Sequence, residues 1–81
     1  MNKYQQEFIG KKTMITKAAN KHQQGINGKI IDETKNTFTI RTNIKEIKIQ
    51  KHGNTFEINN EIINGDKITK RPEDRIKIKE K

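Results

Sequence analysis

Apolar and polar side chains alternate along most of this chain, and this period of two limits its fold more than any other feature. In the clearest run Phe38 and Ile40 lie on one face, while Thr39 between them lies on the other. Such alternation is typical of antiparallel strands with one buried face. Runs with the same period lie at residues 13–17, 26–33, 47–49 and 56–58.

The supply of large apolar residues is small and consists almost entirely of isoleucine and phenylalanine. These two types provide 18 of the 81 residues, and the chain has no leucine or valine. A flat sheet would leave long edges unpaired, whereas a closed barrel fills its interior with one face of each strand. The sequence therefore predicts an all-β fold, a small antiparallel β-barrel of five to six strands formed by residues 1–81 as a single domain.

Turn residues separate the predicted strands. Lys35-Asn36 has the length of a short hairpin turn, and His52-Gly53-Asn54 is expected to join the next two strands. Gly25 and Gly28 are expected to let a strand enter a tightly curved barrel. Near the end, Asn64-Gly65-Asp66 predicts a turn or bulge, followed by a last short strand at Lys67-Ile68-Thr69.

The two ends differ from the barrel, which we expect to span residues 11–69. Tyr4, Phe8 and Ile9 precede Gly10 with a spacing that predicts a short helix over residues 1–10, ended by the glycine. Residues 70–81 form a basic segment. Pro72 with the acids that follow it is typical of the start of a helix. The isoleucines beyond it alternate with lysines as in a strand, so a helix and a strand both remain open for this segment.

Positive charge is the main indication of function. The 18 basic residues outnumber the 10 acidic ones, and the net charge is +8. Such a surface indicates a polyanionic partner, with nucleic acid ahead of an anionic membrane. The three phenylalanines are predicted to lie in the core, which leaves no aromatic platform for stacking bases and favours contact with the backbone of a structured nucleic acid. The predicted contacts are Lys11, Lys12, Lys17, Lys21, Lys48, Lys51, Lys70, Arg71, Arg75 and Lys77.

The residues needed for catalysis or for metal binding are sparse. The chain has no cysteine, and His22 and His52 are thirty residues apart without the spacing of a helical or zinc-knuckle site. Asp32 and Glu33 are strand neighbours that point to opposite faces, so they cannot serve one substrate atom. We expect no catalytic residue, no metal and no cofactor in this chain. The hairpin end is structural, or else it contacts a partner protein through Asp32, Glu33 and Asn36.

No stretch of the sequence is apolar enough to serve as a membrane segment. The longest uninterrupted apolar stretch contains two residues, as at Ile30-Ile31 and Ile62-Ile63. We therefore expect a cytoplasmic protein without a membrane partner.

Several short motifs, taken in order, resemble protein component 1 of archaeal ribonuclease P, the p29-type subunit. The clearest are Asp32-Glu33-Thr34-x-Asn36-Thr37 and Arg71-Pro72-Glu73-x-Arg75. The others are Phe8-Ile9-Gly10, Asn20, Gly25-Ile26-x-Gly28 and Ile49-x-Lys51. Together they span nearly the whole chain.

The resemblance implies an Sm-like barrel with short terminal helices in a ribonucleoprotein that removes the 5′ leader from precursor tRNA. It implies that the RNA is the catalyst, with Mg²⁺ at the RNA active site, and that this chain binds and stabilises that RNA. It also implies a zinc-ribbon protein subunit as a partner. The alternative from the residues alone is an architectural small basic barrel that binds DNA or associates with ribosomes.

Overall fold

The computed structural model describes residues 7–70, which form six β-strands and two short 3-10 helices. This range contains no α-helix. The strands are β1 (Lys12–Lys17), β2 (Asn27–Glu33), β3 (Thr37–Arg41), β4 (Glu46–Gln50), β5 (Thr55–Ile58) and β6 (Glu61–Asn64). The 3-10 helices are Lys21–Gln23 and Gly65–Ile68.

The six strands form one antiparallel sheet in the order β4-β3-β2-β1-β5-β6. The register shifts in β1 between Ile15 and Lys17, and in β2 between Ile30 and Asp32. Such irregularities bend a strand and increase its twist. Gly28 contributes to the same curvature, because a Cβ at this position would overlap the backbone carbonyl of Arg41 in β3.

The inner face of the sheet forms a single core. Phe38 lies at its centre, with edge-to-face contacts to Phe8 at 5.7 Å and Phe56 at 5.1 Å between ring centroids. In the described part of the chain no helical layer covers this sheet, so it buries its inner face by wrapping around itself. The fully buried apolar residues are Phe8, Ile15, Ile30, Phe38, Ile40, Ile49, Phe56, Ile58, Ile63 and Ile68.

The two edge strands come together where β4 and β6 end. Gly65, directly after β6, donates its N–H to the Asn54 carbonyl at 2.9 Å, which extends the β5–β6 pair, and it lies against the Lys51 backbone directly after β4. A Cβ on Gly65 would overlap the backbone carbonyl oxygens of Lys51 and Asn54. The sheet is therefore closed into a barrel, which confirms the predicted all-β fold class.

The β5–β6 turn was not anticipated from the sequence. Asn59 and Asn60 form it with φ values of 54° and 67°, which is the backbone of a two-residue hairpin turn. Asparagine tolerates this left-handed region better than most residues. The last strand is therefore β6, and the strand predicted at Lys67-Ile68-Thr69 is wrong.

A 3-10 helix occupies most of the place of that predicted strand. It begins at Gly65 because the Asn64 side chain accepts a hydrogen bond from the Asp66 N–H at 2.9 Å and caps the turn. Its residue Ile68 points into the core.

The other turn predictions have mixed outcomes. Lys35-Asn36 does form the β2–β3 hairpin, closed by a bond from the Thr34 N–H to the Thr37 carbonyl at 2.9 Å. His52-Gly53-Asn54 joins β4 to β5, but these strands do not pair, because β4 pairs with β3 while β5 pairs with β1 and β6. This segment is a crossover between the two halves of the sheet.

The predicted helix over residues 1–10 lies outside the described residues except for residues 7–10, which are irregular or in a turn. Phe8 is in the core, and Gly10 has a φ of 92° in that turn. The C-terminal segment beyond residue 70 also lies outside the described residues.

Closure of the barrel at Gly65 can be tested by substitution. We expect Gly65→Ala to lower the free energy of unfolding by about 3 kcal/mol, because the added methyl meets two backbone carbonyls that cannot move aside. Gly25→Ala is the control. No atom lies within 4 Å of its Cβ position, and its φ of 88° costs an alanine only about 1 kcal/mol. If urea denaturation shows the same loss of unfolding free energy for both variants, the close approach of Gly65 to the Lys51 and Asn54 carbonyls is contradicted.

Candidate nucleic-acid interface

Lys51 is predicted from the sequence to contact RNA, but the structure buries it completely. Its ammonium donates to Glu33 Oε2 at 2.7 Å and to the backbone carbonyls of Thr34 at 2.8 Å and Lys70 at 3.0 Å. The same nitrogen lies 5.0 Å from the centroid of the Phe38 ring. An ammonium enclosed in this way cannot reach a phosphate, so the prediction for Lys51 is wrong.

Glu33, predicted as a contact for a partner protein, is the other half of this ion pair. Its side chain is fully buried, and it approaches Lys51 from the last position of β2. Its neighbour Asp32 is exposed on the opposite face, as the alternation predicts. The prediction for Glu33 is therefore wrong, whereas Asp32 and Asn36 are exposed and stay predicted partner contacts.

The basic residues predicted around the first strand do not form one cluster. Lys12 and Lys17 lie at opposite ends of β1, about 16 Å apart at the usual rise of a strand. Lys11 is half-buried before the strand, and Lys21 is exposed on the first 3-10 helix. These residues therefore serve separate parts of the surface.

The structure brings together a different set of cations on the outer face of the barrel. Lys12 in β1 lies opposite Lys29 in β2, and Lys29 lies opposite Arg41 in β3. All three side chains are exposed. Directly opposed residues have Cβ atoms about 5 Å apart, so these residues form a continuous row across three strands. We call Lys12, Lys29 and Arg41 the basic row.

Sequence reasoning missed Lys29 and Arg41. The signal for the outward direction was present, because Lys29 precedes the buried Ile30 and Arg41 follows the buried Ile40. The strand register that places them beside Lys12 could not be predicted from the sequence. Without a known strand pairing, each residue is an isolated cation on a solvated face.

The basic row is poorly neutralised. Within residues 7–70 its one ion pair joins Arg41 to Glu46 on β4, at 2.8 Å between Nη2 and Oε2. Both side chains of this pair are more than half exposed, so the pair is worth little to stability. Like charges opposite each other destabilise two paired strands. The arrangement is therefore unfavourable for the isolated barrel and suited to an anionic ligand.

Two further predicted contacts lie elsewhere on the surface. Lys48 is exposed on the outer face of β4 and lines a cavity beside Gln50 and His52. Lys70 is exposed, and its backbone carbonyl accepts a hydrogen bond from Lys51. The predicted contacts Arg71, Arg75 and Lys77 lie outside the described residues.

Residues 7–70 contain no group of three or more histidine, cysteine, aspartate or glutamate side chains that could hold a metal ion. In the same range no helix is long and apolar enough to cross a membrane.

Comparison with known proteins gives a consistent result along the sequence. The family model for ribonuclease P/MRP subunit p29 matches residues 2–78. Ribonuclease P protein component 1 of Thermoplasma acidophilum is 42% identical over 74 residues, which cover 91% of this chain and 85% of the relative. The protein of the same name from Nitrosopumilus maritimus is 43% identical over 74 residues, covering 86% of this chain and 84% of the relative.

A solved structure agrees with these matches. The structure of Mth11, described as a homologue of the human RNase P protein Rpp29, superimposes with a TM-score of 0.61 and 32% sequence identity. The match covers 88% of this chain and 99% of the other. The similarity therefore extends over essentially the whole barrel.

The buried ion pair gives a prediction for stability. We expect Lys51→Met to lower the free energy of unfolding by about 3–5 kcal/mol, because it leaves the Glu33 carboxylate buried without its counter-charge. Adding Glu33→Gln to this variant should restore part of the loss. Urea denaturation of the two single variants and the double variant gives the interaction free energy between Lys51 and Glu33.

Glu46→Gln is the matched control, since it breaks the exposed pair with Arg41 and should cost less than about 1 kcal/mol. Additive losses at Lys51 and Glu33 would show that the two charges do not stabilise each other.

Proposed function

This chain belongs to the ribonuclease P/MRP subunit p29 family, and from that premise we propose that the outer face of its barrel binds the backbone of ribonuclease P RNA. The chain is a protein subunit of the ribonuclease P holoenzyme and is not itself the catalyst. Its association with the holoenzyme RNA and the other subunits follows from this membership. The proposal concerns the residues that make the RNA contact.

The observation that carries the proposal is the basic row. Neighbouring strands lie about 4.8 Å apart, so Lys12, Lys29 and Arg41 present three cations over about 10 Å. Repulsion between them is relieved when phosphate groups occupy the space above the row. Contacts of this kind fix the position of a folded RNA without reading its sequence.

The chain contributes to processing by holding the RNA in shape. Each lysine or arginine that neutralises a phosphate releases condensed counterions, and this release makes binding dependent on salt. We propose that Mg²⁺ at the RNA's own active site supplies the chemistry of phosphodiester cleavage. The barrel would stiffen the RNA so that precursor tRNA is positioned at that site.

Three further parts of the proposal rest on the sequence and on family membership. A zinc-ribbon protein subunit is the proposed protein partner, with Asp32 and Asn36 as exposed candidate contacts. Arg71, Arg75 and Lys77 are proposed to extend the RNA-binding surface. The cytoplasm is the proposed location. The family matches favour this function over an architectural DNA-binding barrel.

If the basic row binds RNA, a substitution in it should weaken RNA binding without lowering the stability of the barrel. We expect Lys29→Ala to weaken binding to ribonuclease P RNA and to reduce the slope of log K against log salt by about 1, because one phosphate contact is lost. The free energy of unfolding should stay unchanged or rise slightly, since Lys29 faces two cations across the sheet. Filter binding at several salt concentrations and urea denaturation measure the two quantities.

Lys35→Ala is the matched control. This lysine is also exposed, but it lies in the β2–β3 turn, at the opposite end of both strands from the basic row. We expect its salt slope to remain close to that of the unchanged chain. If Lys29→Ala and Lys35→Ala lose affinity equally, the row has no special role in binding RNA.

A further inference from the structure

A polar cavity of about 320 Å³ lies beside the outer face of β4. One wall comes from the connection between β1 and β2, and the other comes from β4 and the crossover to β5. It is lined by Ala19, Asn20, Gln23, Lys48, Gln50, His52 and Asn54. Its volume lies at the lower end of the range usual for small-molecule sites.

The base of the cavity is held in place by Asn54, which is buried. The Ala19 N–H donates to Asn54 Oδ1 at 3.1 Å, and Asn54 Nδ2 donates to the Gln50 carbonyl at 2.5 Å. One side chain therefore ties both walls together, and the cavity is present before any ligand binds.

Two amide side chains line the cavity beside this base. Gln23 is half-buried on the first 3-10 helix, and Gln50 is exposed at the end of β4. Within the described residues, neither side-chain amide has a hydrogen-bond partner. A primary amide offers a donor and an acceptor together, which is the pattern that the edges of nucleobases present.

The ring of His52 lines the same cavity. Its Nδ1 lies 2.8 Å from Asp66 Oδ1, and that oxygen also accepts the Gly53 N–H at 2.9 Å. Asp66 is held in turn by the Asn64 cap. The His52 side chain is 82% exposed, so its aromatic face is open to a ligand. Histidine is among the side chains on which RNA bases stack.

Lys48 supplies a positive charge close to these groups. It lies on the outer face of β4, two residues from Glu46 and diagonal to Arg41 across the β3–β4 pair. One residue of the cavity wall, Lys48, therefore lies near the end of the basic row on the same face of the sheet. An RNA strand that extends from the row along β4, past Lys48 toward Gln50, would reach the opening of the cavity.

We propose that this cavity binds a single unstacked nucleotide of the RNA. The base would stack on His52 and hydrogen bond to the amides of Gln23 and Gln50, while Lys48 contacts its phosphate. This inference rests on the proposed function, since it assumes that RNA lies on the outer face of β3 and β4. It adds a contact with a base to a surface that otherwise touches only the backbone.

The test compares Gln50→Ala and His52→Ala in the full chain bound to ribonuclease P RNA. Each variant should weaken binding by roughly tenfold, the order found for loss of one stacked base. The slope of log K against log salt should not change, because neither side chain neutralises a phosphate. Gln24→Ala is the matched control: it removes an exposed amide next to Gln23 but outside the cavity, and we expect full affinity.

A second measurement locates the contact directly. Adenosine, guanosine, cytidine and uridine 5′-monophosphates are added in turn to the ¹⁵N-labelled chain, and the side-chain amide signals are followed by NMR. At least one monophosphate should shift the Gln23 and Gln50 signals and leave that of Gln24 in place. Shifts spread over the basic row alone would overturn the inference.

The outcomes separate this inference from the proposed function. If both cavity variants bind RNA as tightly as the unchanged chain while Lys29→Ala binds weakly, the nucleotide site is refuted and the RNA-binding surface stands. If Lys29→Ala binds normally and the cavity variants are weak, the basic row is refuted and the nucleotide site stands. Cavity variants that lose a protein subunit but keep full RNA affinity would assign the cavity to that subunit instead.

Discussion

The buried ion pair between Lys51 and Glu33 is the interaction on which the rest of the structure depends. It joins the end of β2 to the end of β4, and through the Lys70 carbonyl it also holds the segment that follows the second 3-10 helix. A barrel of this size has little apolar area, and its core consists of isoleucine and phenylalanine. A buried charge without its partner would cost a large part of the stability that such a core provides.

The pair also divides the positive charge of the chain into two roles. Lys51 is neutralised inside the barrel, where it holds the fold together and contributes nothing to the outer surface. Lys12, Lys29 and Arg41 lie outside, beside one another, in an arrangement that slightly opposes folding. A sheet stabilised from its inner face can carry such a row, and in the proposed function the RNA of the holoenzyme supplies the missing negative charge.

Much of this could be predicted from the sequence, because the period of two distinguishes the faces of each strand. This period predicted that the three phenylalanines lie in the core and that the fold is a closed all-β barrel. The same alternation also predicts which way Lys51 points. Ile47 and Ile49 face the core, and Lys51 follows two residues later on the same face. Lys51 was nevertheless predicted to be exposed because lysine is rarely buried, and only its partner Glu33, distant in the chain, makes burial possible.

The candidate site was harder to predict, because it depends on which strands are neighbours. Lys29 and Arg41 become a row only through the pairing of β2 with β1 and β3. The cavity at His52 depends on Asn54 joining two segments that are 35 residues apart. The left-handed turn at Asn59 and Asn60 was missed, since asparagine adopts that backbone without a glycine to signal it, and the last strand was therefore predicted at Lys67-Ile68-Thr69 instead of Glu61–Asn64.

The reactivity of each lysine toward an acylating reagent, read by mass spectrometry with and without ribonuclease P RNA, tests the central claim most directly. The account predicts that Lys51 is unreactive in both states, that Lys12, Lys29 and Lys48 react in the free chain and are protected by RNA, and that Lys35 changes little. A reactive Lys51 in the free chain would contradict the buried ion pair. Protection of Lys35 with Lys12 and Lys29 still reactive would place the RNA on a different face of the barrel.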